Sequence, residues 1–295
     1  MIGRIIEVAT DQRHLSAYRG FMLVHDTTQP KTEIARIPLD DIGALIANAH
    51  GLSYTNNLLV AIAERGVPFV LCGKNHSPAG MLWPVEGHHL QSHRFEAQID
   101  CALPTKKQLW AAIVKSKLSQ QAIALRTVGG NATAIERLAT MVRSGDPDNC
   151  EAQGARHYWQ AFLGAEFRRD QSLGGLNALL NYGYTVLRAT TARAVIAAGL
   201  HPSIGLNHSN DKNPMRLVDD LMEPFRPAVD LCVHQLSKER QLDVTNETKK
   251  RLVSVMYQDT FSAEGVTPLM VGIQKLATSL ALVLTKESNQ LALPR

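Results

Sequence analysis

Four side chains in the second half of the chain have types suited to holding a hard divalent cation: Glu151, His208, Asp220 and Glu223. Asp220 and Glu223 lie in the segment Pro214–Pro227, where Leu217, Val218, Leu221, Met222 and Phe225 recur at helical spacing. Arg216, Asp220 and Glu223 then share the opposite face at steps of four and three, which makes the two acids like-charged neighbours. Such a pair repels unless a cation stands between the carboxylates. Pro224 follows at once and disturbs the hydrogen-bond ladder, since it cannot donate and its ring presses on the carbonyl four residues back. Glu151 extends the buried stripe of its own helix (155, 158, 159, 162, 163) toward the helix start, where the dipole favours a carboxylate. His208 falls in the glycine-punctuated connection Gly199–Asn210, where a side chain is free to face a ligand. Two or three carboxylates with one imidazole suit Mg2+ or Mn2+, and an ion so held can polarise a phosphodiester oxygen. Each residue has a plain reading too: a helix-start acid, a surface histidine, an acidic face tied to Arg216.

The elements that must position these groups form an α+β chain, a small N-terminal β-rich domain followed by a larger all-α C-terminal domain. Short strands are expected at Arg4–Val8, Ala17–Val24 and Thr32–Ile37, with a further buried strand at Gly66–Cys72. Helical spacing of Ile42, Leu45, Ile46 and Ala49 predicts a helix after Pro38, and a second short one fits Asn56–Arg65. From about Leu90 strand signals nearly vanish. Helices are expected over Thr105–Ser144 (interrupted at Gly129-Gly130), Pro147–Arg169, Leu176–Ala198, Pro214–Arg226, Ala228–Arg240, Asn246–Asp259 and Pro268–Lys286. The composition shift places a β-rich domain at 1–84, a linker at 85–103 and a helical domain at 104–295.

Lys and Arg number 31 against 27 Asp and Glu, a net charge of +4. The excess is local: Lys106, Lys107, Lys115, Lys117, Arg126, Arg137 and Arg143 face a single acid, Glu136, between Leu103 and Arg143. That stretch is either a polyanion-facing surface or a solvated helix face. Four scattered cysteines without a CxxC pair argue against a disulfide framework, and a start without signal-peptide character points to the cytoplasm. No apolar run is long enough to cross a membrane. Cys72, His76, His89 and His93, with His88 to spare, have zinc-like separations, but one thiolate with three imidazoles is an uncommon structural set. Asn177 and Asn181, one turn apart among apolar residues, either brace the metal ligands or tie helices together.

Glu151 opening Glu-x-x-x-Ala-Arg-x-Tyr-Trp, then Asn177–Tyr184, Gly205-Leu206-Asn207-His208 and Asp219–Pro227, resembles in order and separation the CRISPR-associated integrase (Cas-one) family. The Asp-Leu-Met-Glu-Pro-Phe-Arg-Pro stretch is most like the branch that accompanies type II systems. The resemblance spans the chain and implies a metal-dependent DNA integrase and endonuclease of bacterial adaptive immunity. It implies Glu151, His208 and Glu223 as metal ligands, with Asp220 as the second acid of the pair assisting the site. Many relatives have Asp where this chain has Glu223, which alters reach at constant charge. Arg156 and Arg226 become candidates for phosphate contacts, and Lys106, Lys107, Lys115 and Lys117 for DNA binding. The implied chemistry is attack of a DNA 3′-hydroxyl on a phosphodiester at a repeat edge, with water in its place giving hydrolysis. The implied partners are double-stranded DNA, a second copy of the chain joined through the β-rich domain, and a small ferredoxin-like partner dimer.

Two readings of other classes compete. A metal-dependent phosphoesterase of a small molecule would be indifferent to salt, whereas DNA binding weakens steeply as salt rises. A non-catalytic DNA-binding architectural protein would lose no activity on Glu151→Ala.

Overall fold

A computed structural model of the chain describes residues 3–28, 32–73, 78–82, 84–263 and 265–295. It divides into two compact units, Met1–His89 and Leu90–Arg295.

The first unit holds two four-stranded sheets. One has β1 (Arg4–Val8), β5 (Ile42–Ala47), β7 (Phe69–Cys72) and β8 (Pro78–Leu82) in that order, parallel except for β8. The other orders β4 (Thr32–Pro38), β3 (Phe21–Asp26), β2 (Arg13–Tyr18) and β6 (Leu52–Tyr54). Helix α1 (Asn56–Glu64) is capped by the Thr55 hydroxyl, which accepts from Leu58 N–H. Leu15, Met22, Leu39, Ile42, Leu45, Leu58, Ile62 and Phe69 form the core. Two expectations fail here. The strand expected at Ala17–Val24 is two, turned at Arg19-Gly20, both at positive φ, as a tight hairpin between right-twisted strands requires. The helix expected over Ile42–Ala49 is instead β5, buried along its whole length between two parallel neighbours. An apolar run bounded by polar residues satisfies both periods, and burial on both faces decided for the strand.

The second unit is built on two long helices, α3 (Leu103–Thr127) and α6 (Leu176–Ala197). Against α3 lie α4 (Thr133–Met141), α5 (Cys150–Leu163) and α8 (Arg226–Lys238); against α6 lie α7 (Arg216–Met222), α8, α9 (Asn246–Ser254) and α10 (Leu269–Leu284). This half is not all-α: β9 (Asp259–Ser262) and β10 (Gly265–Pro268) form an antiparallel hairpin where a helix end was expected. Nor is 85–103 merely a linker, because it contains helix α2 (Gln91–Ile99). Buried Arg94 of α2 donates to the Ala198 carbonyl at 2.9 Å. Gln98 Nε2 donates to the carbonyls of His201 and Ile204 at 3.0 and 2.9 Å. Gln98 Oε1 also accepts from His201 N–H at 2.8 Å, so α2 fixes the start of the loop that carries His208. Among the described residues no helix is long and apolar enough to cross a membrane.

Candidate active site

Glu151 stands in the first turn of α5. The preceding turn places Asp146 so that its carboxylate accepts from Cys150 N–H and Glu151 N–H, both at 2.9 Å. The helix therefore begins at Cys150, later than the expected Pro147, with Asp146 supplying the acceptors that the first-turn amides need. Across from Glu151 runs α3. The two helices approach closely at Gly154, where a Cβ would meet Leu118 Cδ2 at 2.2 Å. Lys117, next to Leu118, thereby comes within 2.6 Å of Glu151 Oε1.

Glu223 begins a single 3-10 turn, Glu223–Phe225, between α7 and α8; Pro224 breaks the α-helical ladder there. The side chain is 3% exposed and its two oxygens meet two cations. Oε1 lies 3.0 Å from Arg226, and Oε2 lies 2.5 Å from the same Lys117 ammonium, with no other donor in reach. Burial pushes the Glu223 carboxyl up, but Arg226 and Lys117 outweigh it and hold the group below its usual range. Burial likewise opposes the Lys117 charge, and Glu223 and Glu151 outweigh it. Lys117, counted in the sequence as a DNA-binding surface residue, is thus an internal cation, 7% exposed.

Asp220, fully buried, is held differently. Its Oδ2 accepts from Leu206 N–H at 2.7 Å and Asn207 N–H at 3.3 Å; its Oδ1 accepts from His208 N–H at 3.3 Å and takes the His208 ring Nδ1 at 2.6 Å. Gly205 leaves room for this, since a Cβ there would sit 3.0 Å from Asp220 Oδ2 and 2.8 Å from Arg216 Cβ. The hydrogen bond that His208 gives to Asp220 raises its pKa against the opposing effect of burial. Trp110 of α3 meets the imidazole edge-on, with ring centroids 5.8 Å apart. With Nδ1 committed, Nε2 is the ring nitrogen left without a protein partner among the described residues.

Glu151 and Glu223 are thus brought to one point, with His208 near enough to Glu223 for their charges to interact. The three do not close into a formed metal cluster, and no such group of three exists among the described residues. Lys117 takes the position between the carboxylates. The donors nonetheless fit a hard cation: two carboxylates already share one positive charge, one of their oxygens has no other donor, and an imidazole nitrogen stands nearby.

Other expectations resolve as follows. Arg216 pairs with Asp211 at 2.7 Å, so the acidic pair is not a solvated face tied to it. Arg226 is engaged with Glu223 and lies over the Tyr184 ring. Arg156, Lys107 and Lys115 are exposed and Lys106 half-buried, none drawn into the carboxylate cluster. Asn177 and Asn181 neither brace the ligands nor join helices. They accept from Arg169 at 3.0 and 2.7 Å and donate to the carbonyls of Arg168 and Gln171 at 3.0 and 2.9 Å, fixing the loop after α5. Of the zinc-like set, His76 lies outside the described residues, and the rings of His88 and His89 stack on each other at 4.4 Å. The sequence gives no sign of Gln98, Trp110 or buried Asp230, which accepts from Tyr158 and Tyr184 hydroxyls at 3.0 and 2.5 Å.

The chain is 36% identical over 286 residues to the CRISPR-associated endonuclease Cas1 of Neisseria meningitidis serogroup C (strain 8013), covering 95% of this chain and 92% of that one. Its fold is similar to a casposase bound to an integration product, with TM-score 0.78, 19% identity and coverage of 98% and 92%. It is also similar to part of a Cas6-RT-Cas1–Cas2 complex, with TM-score 0.76, 17% identity and coverage of 97% and 35%. The family model described as CRISPR associated protein Cas1 matches residues 6–263, and the chain belongs to the Cas1 family.

Proposed function

We propose that this chain is a metal-dependent DNA integrase and endonuclease of CRISPR adaptation, joining the 3′-hydroxyl ends of short DNA fragments into a repeat array by transesterification. The observation that carries the reading is the convergence of Glu151 and Glu223, from separate elements, on one cation position beside His208. Glu151, His208 and Glu223 would hold Mg2+ or Mn2+. Such an ion, when bound, neutralises charge growing on the phosphoryl oxygens and makes a hydroxyl or water a better nucleophile.

The chain's own residues do the positioning. Asp220 takes the Nδ1 hydrogen of His208 and so aims Nε2, as an outer carboxylate does for a ligating histidine. Backbone amides of Leu206 and Asn207 keep Asp220 from turning toward the cation position itself. Arg226 holds one oxygen of Glu223 and leaves the other toward the site. Exposed Lys107, Lys115 and Arg156, with half-buried Lys106, offer sequence-independent contacts to a DNA backbone. The similar endonuclease, the casposase bound to an integration product and the Cas1–Cas2 complex support DNA as substrate and a CRISPR-associated partner protein, which in this reading is a small ferredoxin-like dimer. Pairing of two copies through the β-rich unit belongs to the same reading.

The test mixes the purified chain with its partner subunit, a supercoiled repeat-bearing plasmid and a short duplex. Joined product is expected with Mg2+ or Mn2+. Glu151→Ala should abolish joining while largely sparing DNA binding. Wild-type joining by that variant, or none by the wild type with metal present, defeats the reading.

A further inference from the structure

Lys117 has no place among the metal ligands proposed above, yet it stands between two of them. Its ammonium is 2.6 Å from Glu151 Oε1 and 2.5 Å from Glu223 Oε2, so one positive charge links α5 to the 3-10 turn. The surrounding helix face is apolar: Ile113, Val114 and Leu118 are fully buried, and Leu118 fills the space above Gly154. A lysine drawn into such a face is costly unless its charge is matched, and here two carboxylates match it.

An ion bound by both carboxylates would sit where the ammonium now sits. The two cations exclude each other, both by volume and by repulsion at contact distance. Arg226 does not stand in the way, because it engages the other oxygen of Glu223. Lysine suits an exchangeable role: its charge is a point on a flexible four-carbon stem, well hydrated once it leaves.

We propose that Lys117 is a resident counter-ion, occupying the metal position in the metal-free protein and displaced when the divalent ion binds. The inference rests on the assignment of Glu151, His208 and Glu223 as ligands. Before metal arrives Lys117 keeps buried Glu223 and half-buried Glu151 from repelling each other. Afterwards its lost ion pairs are subtracted from the metal's affinity. Lys117 therefore sets how much free metal the protein needs.

The test is Mn2+ binding to the full chain without DNA, read from the paramagnetic resonance of free Mn2+ at one pH. Lys117→Met should bind Mn2+ at least about tenfold more tightly than wild type, because no cation has to be displaced. Lys117→Arg, which keeps the charge, should bind no more tightly than wild type. The metal-free Lys117→Met protein should melt lower than wild type and recover more on Mn2+ addition. If Lys117→Met binds as wild type or more weakly while Glu223→Gln loses binding, the inference falls and the ligand assignment stands. If Glu223→Gln binds as wild type does, the ligand assignment falls and takes this inference with it. Should Lys117→Met not fold, amine labelling of the wild type decides. Lys117 should label several-fold faster with saturating Mn2+, and an unchanged rate overturns the inference.

Discussion

Two corners of the helical unit hold a buried acid each, three residues apart in the chain, and satisfy them by opposite means. At the corner of α7 and the 199–210 loop, Asp220 is met by three backbone amides and the His208 ring. At the corner of α3, α5 and the 3-10 turn, Glu223 is met by the side-chain cations Lys117 and Arg226. Backbone donors cannot leave without unfolding the loop, whereas a side-chain cation can be exchanged for another. In the proposed reading the first acid is a brace for the histidine and the second is a metal ligand.

The contrast is sharpest in activity. Glu223→Ala should lower strand joining by about a thousandfold, the equivalent of the several kcal/mol that a metal supplies to a phosphoryl transition state. Asp220→Asn should lower it by only about 10- to 100-fold, acting through the aim of His208. Single-turnover joining assays of both variants measure the gap, and equal losses would erase the distinction. In stability the order should reverse. Asp220→Ala leaves three amides near the loop without their acceptor and should cost about 3 kcal/mol in urea denaturation of the metal-free protein. Mn2+ should widen that loss by no more than about 1–3 kcal/mol, through the poorer aim of His208, and a larger widening would make Asp220 a ligand after all.

The cation-held corner depends on how closely α3 and α5 meet. Gly154→Ala would drive a methyl into Leu118 Cδ2, 2.2 Å from where the new Cβ must lie. Overpacking of this kind should cost about 1–3 kcal/mol and part Lys117 from Glu151. Thermal unfolding checks the first effect, and a smaller stability loss on Glu151→Gln in the Gly154→Ala background than in wild type checks the second.

Much of this was legible in the residues, unevenly. The order of the helices and the pairing of Asp220 with Glu223 on one short segment follow from spacing, whereas the grouping of Glu151 and His208 with them follows from the family resemblance alone. Lys117 was counted with the exposed cations, although Trp110, Ile113, Val114, Leu118, Gln121 and Leu125 put it on the inward stripe of α3. A lysine in an apolar stripe demands a buried acid, a signal that shows when charge is placed around the helix and vanishes when it is summed along the chain. The β5 strand was misread because an apolar run fits either period until its neighbours are known. Gln98 was beyond reach: it acts by hydrogen bonds to backbone groups more than a hundred residues away, and no local pattern announces such a partner.

A third buried acid extends the comparison and gives its smallest effect. Asp230, on α8, is met by neither amides nor a directly paired cation but by the neutral hydroxyls of Tyr158 and Tyr184. Burial pushes its carboxyl up to about 7, and the two hydroxyls and the charges of Arg226 and Arg169 offset only part of that. Its unfolded counterpart titrates near 4. Between those values the folded protein holds a proton that the unfolded chain has released, so stability falls as pH rises. The contribution is complete below about pH 4 and is lost progressively as pH climbs through about 7, at about 1 kcal/mol per unit between pH 5 and 7. Asp230→Asn cannot ionise and should lack that slope, gaining on the wild type by this amount per pH unit and running parallel to it above about pH 8. Urea midpoints taken across pH 5 to 8.5 measure the difference. Parallel curves throughout would mean that two phenols can hold a buried carboxylate as well as backbone amides do, and that the kind of donor matters less than its number.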